Sequence, residues 1–188
     1  MNITQHFAWS EFQGGSGLKM KDASPETLEE VKLMAGNLEI AREEAGKPIR
    51  IVGGIRTAKS SEAIRKAGGR PSKTSDHFYG ENPDVPLAVG AVDARFGGGG
   101  TKKQRAVELF NTILKLKYEG RIRTGQVLLE HDPATGSWWT HVANDPRLVL
   151  SPEDLAKRSD SNINLVAYSL DNGKSFTMIP WGQYFKSP

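Results

Sequence analysis

Four histidines, His6, His77, His131 and His141, and no cysteine make up the chain's supply of imidazole and thiol groups. Without thiols, a disulfide framework, a thiolate zinc site and a cysteine nucleophile are all excluded, and any metal must be held by His, Asp or Glu. His77 stands in the turn-like run TSDHFYG, and Asp93 follows in the short apolar strand GAVDARF. A carboxylate in such a strand is costly to bury unless it is paired or bound to a cation. His141 lies in SWWTHVA, where period-two alternation puts it on the face of Trp139 and Ala143, opposite Trp138, Thr140 and Val142. Taken alone, a histidine beside tryptophans reads as a structural residue. Together, two imidazoles and a carboxylate are a sufficient ligand set for a catalytic zinc, which keeps one position open. Hydrolysis at such a site also needs a base. Glu130 ends the run GQVLLE, in the strand facing that of His141, and can approach across the ladder. Its neighbours His131 and Asp132 are alternatives, although HDPATG reads as the turn itself. His6 falls in an irregular N-terminus as a surface or packing residue.

The elements that must position these groups are legible in outline. Ser24, Pro25 and Glu26 form a helix start, with Leu28, Val31, Ala35, Leu38 and Ala45 at helical spacing and a stop at Gly46 before Pro48. IRIVGGIR, 49–56, reads as a strand entering a bend at Gly53 and Gly54. A short helix over 60–66 should end at Gly68 and Gly69. After Gly97 to Gly100, Thr101 caps a second long helix whose apolar face is Ala106, Val107, Phe110, Ile113 and Leu114. GQVLLE and SWWTHVA should pair as an antiparallel hairpin, and NLVAYSLDNGKSFTMI as another around Asn172-Gly173. SPEDLAKRS reads as a short helical turn. No internal repeat is visible. Strands unevenly interleaved with two long helices argue for an α+β fold with a largely antiparallel sheet.

The 188 residues are 37% hydrophobic and 25% charged. This suits one domain over 1–188, with 151–188 extending the core rather than forming a separate module. A net charge of +3 is compatible with an anionic partner, but there is no continuous basic run. A nucleic-acid-binding protein would need an aromatic-studded basic face, whereas the tryptophans cluster near His141 and the C-terminus, so no nucleic-acid partner is expected. The opening MNITQHFAWSEF has no signal-peptide pattern and no run is long enough to span a membrane. The expectation is therefore a soluble, monomeric product made in the cytoplasm.

FAWSEF, IRIVGGIRT, SKTSDHFYG, GAVDARF and WWTHV occur in the order found in zinc D,D-carboxypeptidases and L-alanyl-D-glutamate endopeptidases. Over roughly residues 7–142 the chain resembles that family, peptidase M15, and the joint order of the pieces carries the likeness. The resemblance implies a Hedgehog/D,D-peptidase-like fold, with an antiparallel central sheet and flanking helices. It implies zinc ligands His77, Asp93 and His141. It also places Arg56 of GGIRT at the substrate, where it would stabilise charge on the attacked carbonyl, and Ser75 beside the first ligand and the substrate. The family's usual histidine-to-aspartate spacing is shorter and would land on Asp84. Asp93 is preferred because its surroundings resemble the family strand, while Asp84 lies between Pro83 and Pro86 in what reads as an inserted loop over 81–89. Trp138 stands where many members carry an acid, which leaves Glu130 as the base, as in phage-type members.

The activity so implied is zinc-dependent hydrolysis of a peptide bond in the peptidoglycan stem by a metal-activated water. Glu130 would take and return the proton, and Arg56 would stabilise the oxyanion. The protein would act at the cell wall as a phage-type endolysin, free or carried on a virion. The alternative is a non-catalytic cell-wall-binding module on the same fold, favoured by the missing acid at Trp138.

Overall fold

The computed structural model describes residues 1–67, 75–79, 89–158 and 164–186. Asp84, most of the loop around it and the helix stop at Gly68 and Gly69 lie outside the described residues. The N-terminal segment is not irregular throughout: it forms a short helix, α1 (Trp9–Gln13), that buries Trp9 and Phe12. Glu11 closes its first turn by accepting from the Ala8 amide at 2.9 Å.

Two long helices form where cap chemistry and apolar spacing agree. In α2 (Pro25–Ala45) the Ser24 side chain accepts from the Thr27 amide, Pro25 occupies the first turn, and Gly46 ends the helix at φ 62. Its inward stripe is Val31, Met34, Ala35, Leu38 and Ala41, all fully buried. The shorter α3 (Ala58–Lys66) begins two residues before the expected start, because Thr57 caps it by accepting from the Ser60 amide. In α4 (Lys102–Tyr118) Thr101 and Gln104 cap each other reciprocally. Ala106, Leu109, Phe110, Ile113 and Leu114 of α4 are fully buried, whereas Val107 is only half-buried.

The strands are β1 (Ile49–Gly53), β2 (Ala91–Phe96), β3 (Thr124–Asp132), β4 (Ser137–Asn144), β5 (Val166–Ser169) and β6 (Thr177–Met178). They form one six-stranded sheet in the order β1-β2-β4-β3-β5-β6. Every pairing is antiparallel except β3 with β5, which is parallel. The fold is therefore α+β with a mixed, mostly antiparallel sheet. The β3/β4 hairpin forms as expected, but its strands run further into the connection. Glu130 consequently lies inside β3 opposite Trp139, not at the strand's end, and His131 and Asp132 are strand residues. Asp132 accepts from the Ala134 amide and the Thr135 hydroxyl, which folds the tight turn at 133–136. Beyond β4 come two one-turn helices, α5 (Pro146–Val149) and α6 (Pro152–Leu155). The C-terminal hairpin turns through Asn172 and Gly173, both at positive φ. β5 and β6 continue the same sheet, and Phe185 returns to pack edge-on against Phe110.

Alternation splits the sheet into two unlike faces. Val92, Ala94, Val127, Leu129, Thr140 and Val142 are fully buried toward the helices, and the Thr140 hydroxyl donates to the Ala106 carbonyl of α4 at 2.9 Å. Burying each Val or Leu there contributes roughly 1.5–3 kcal/mol. Asp93, Leu128, Glu130, Trp139 and His141 take the opposite face and line a cleft of about 820 Å³.

Candidate metal centre

Register alone brings two of the expected ligands together. Asp93 of β2 is directly opposite His141 of β4, and on its other side it faces Gly53 of β1. The third, His77, comes from a single 3-10 turn, Asp76–Phe78, started by Ser75, whose Oγ accepts from the His77 amide at 3.3 Å. This turn is held from several sides. The Arg56 amide donates to the His77 carbonyl at 2.7 Å, Thr27 Oγ1 of α2 donates to the Tyr79 carbonyl at 2.6 Å, and the Arg158 guanidinium pairs with Asp76 at 3.1 Å.

The glycine pair at the end of β1 is sterically required. A Cβ at Gly53 would lie 2.6 Å from Asp93 Oδ2, and one at Gly54 would lie 2.0 Å from the Phe12 carbonyl oxygen. The bare backbone therefore lets α1 and the Asp93 carboxylate approach together. It also presents the Gly54 carbonyl to His77 Nδ1 at 2.9 Å, so Nδ1 donates there and the Nε2 lone pair, facing the Asp93 carboxylate, is left for a cation between them. His77 Nε2 is 3.2 Å and His141 Nδ1 3.0 Å from the same Asp93 oxygen, Oδ1.

The three donor atoms lie within 4.8 Å of one another, and all three residues are buried. Ligand atoms in a tetrahedral zinc site with bonds of roughly 2.0–2.1 Å are about 3.3 Å apart, so these separations suit such an ion. The donor set, two imidazoles and a carboxylate with an outer hydrogen bond to one ring, could hold a metal ion. Among the described residues, this is the one such group of His, Asp and Glu.

The electrostatics match. Burial opposes the charge on Asp93, but the charges and hydrogen bonds of His77 and His141 outweigh it and hold the carboxyl far below its ordinary range. For His77 burial prevails and its pKa is lowered, whereas for His141 burial is outweighed by Asp93 and the pKa is raised. Arg56 reaches Asp93 Oδ2 at 3.5 Å, and its other terminal nitrogen reaches Ser75 Oγ at 3.4 Å. Glu130 accepts from Trp139 Nε1 at 2.7 Å through Oε2. Burial, working against the positive charge of His141, raises its pKa.

The structure thus gathers Arg56, Ser75, His77, Asp93, Glu130 and His141 around one cleft. His131 and Asp132 are turned elsewhere: His131 stacks on Trp138 with ring centroids 4.3 Å apart, and Asp132 builds the turn. Trp138 faces away from the cleft, and Lys103 lies over its ring. His6 bonds to Glu39 at the surface. Sequence reasoning missed the cleft residue Arg95, and also the buried Asp76–Arg158 pair and Phe176, which neither alternation nor motif connects to His77. For Arg95 a signal existed, since it stands two positions from Asp93 on the same strand face. No protein-family model and no curated protein matches the chain, so the site is read from its own geometry.

Proposed function

We propose that the protein is a zinc-dependent peptidoglycan hydrolase that cuts a peptide bond in the cell-wall stem peptide, with a D,D-peptidase-like fold of the peptidase M15 type. The observation that carries this reading is the convergence of His77, Asp93 and His141 on one point beneath a cleft that also holds Glu130 and Arg56. Zinc held by the three ligands supplies Lewis acidity, polarising a peptide carbonyl and acidifying water. Glu130 takes the proton from the attacking water and returns it to the leaving amine. Its raised pKa suits a group that both accepts and donates. Trp139 fixes the carboxylate through one oxygen, so the other is left for that exchange. Arg56, with Ser75 bracing its guanidinium, is positioned to stabilise negative charge developing on the carbonyl oxygen.

The experiment is muropeptide release from purified peptidoglycan by the wild type, by chelator-treated protein and by Glu130→Gln. The reading expects soluble peptides from the wild type only, with chelator-treated activity restored by added zinc. Peptidoglycan that is bound but never cut would replace this reading with a non-catalytic wall-binding module.

A further inference from the structure

The cleft's carboxylates are already engaged. Asp76 is paired with Arg158, Asp93 with both histidines and Arg56, and Glu130 with Trp139. Arg95 is different. It lines the cleft, is half-buried, and among the described residues forms no ion pair with Asp or Glu. Its Nη1 donates to the Trp138 carbonyl at 3.3 Å, while its enclosed Nε has no hydrogen-bond partner among the described residues. The charges that act on it belong to two further cations, Arg105 and Arg50, the latter its cross-strand partner in β1. A partly desolvated guanidinium among like charges is unfavourable until an anion arrives. A planar fork of donors is suited to a carboxylate.

Arg95 also has a defined relation to the chemistry. It lies two residues from Asp93 on the same face of β2, roughly 7 Å along the strand. A group held there sits within a residue or two of a peptide carbonyl at the metal centre.

We propose that Arg95 is the residue that recognises a substrate carboxylate close to the scissile bond, so that the protein selects acidic peptides. This rests on the hydrolase reading for the identity of the peptide, but not for the anion site itself. Two probes serve: stem peptide purified from peptidoglycan, and the same peptide with its carboxylates amidated. Binding is measured by calorimetry in zinc-loaded Glu130→Gln protein, where turnover is removed, with and without Arg95→Met or Arg95→Lys, and each variant's melting temperature is recorded. The parent should bind the carboxylate form about tenfold or more tighter than the amide. Arg95→Met should lose that preference, and Arg95→Lys should keep part of it. Equal weakening of both peptides by Arg95→Met would make Arg95 a brace for Trp138 only. An unchanged preference, or binding of neither peptide, would also overturn the inference. Loss of preference in Arg95→Met, combined with no muropeptide release by the wild type, would leave the anion site standing and remove the hydrolase reading alone.

Discussion

On β2, Val92 and Ala94 turn into the helix-packed side of the sheet while Asp93 and Arg95 turn into the cleft, and on β3 Leu129 and Glu130 divide in the same way. One side is dry and aliphatic, closed by α2 and α4, and the buried polar side chains that β4 sends into it, Thr140 and Asn144, each donate to a helix carbonyl. The other side carries two imidazoles, a guanidinium and carboxylates at spacings that only fixed register can hold. The two faces share a backbone, so the packed side supplies the rigidity and the cleft side spends it on charges that would be costly in a looser frame. Substitutions on the two faces should therefore separate function from stability.

The largest effect is expected on the cleft side. Glu130→Gln should lower kcat by roughly 100- to 10,000-fold while leaving zinc content and melting temperature near wild type, as steady-state kinetics and metal analysis would show. Across the sheet, Leu129→Ala should cost about 2–5 kcal/mol in denaturant unfolding without removing zinc from the folded fraction. Loss of zinc at unchanged stability in that variant would erase the distinction between the faces.

A third prediction concerns Glu30, a buried residue of α2 whose Oε2 has no hydrogen-bond partner among the described residues. Burial, reinforced by Asp76 and Glu26, pushes its pKa up to about 8. Because the folded state holds the proton more tightly than the unfolded chain, stability is lost as pH rises from the ordinary carboxyl range toward 8. The total loss should be on the order of 5 kcal/mol, and Glu30→Gln should flatten the pH dependence in urea titrations at successive pH values. The smallest effect belongs to Trp139→Phe. Removing the indole donor from Glu130 disfavours the carboxylate, so the acidic limb of the kcat/KM profile should move to higher pH, with activity at fixed pH falling about tenfold.

What the sequence revealed, and what it did not, follows the range of the forces involved. Both long helices could be read because Ser24, Thr101 and their apolar stripes are local signals. The β3/β4 hairpin and the alternation around His141 were local too: they put His141 and Trp139 on one side and Glu130 on the facing strand. The parallel docking of β5 beside β3 was not legible, because it joins segments whose own patterns say nothing about each other. Glu130 seemed to end its strand because Asp-Pro and Thr-Gly mark a turn, yet the ladder extends to Asp132, which makes that turn with its own side chain. The short α1 escaped notice because five residues carry too little periodicity, although its Phe12 carbonyl is what demands glycine at Gly54. Within the site, the members of the buried His77-Asp93-His141 group could be named from type, context and the family resemblance. The buried clamp of Asp76 by Arg158 required the fold, as did the finding that Arg95, whose face follows from alternation, has no ion-pair partner among the described residues.

The most direct test is zinc stoichiometry by elemental analysis after exhaustive dialysis, on the wild type, Asp93→Ala and Asp84→Ala at matched melting temperature. The account predicts one tightly held zinc per chain in the wild type and in Asp84→Ala, and none in Asp93→Ala. A wild type without zinc, or an Asp93→Ala protein that retains it, would contradict the assignment of His77, Asp93 and His141 as the metal centre.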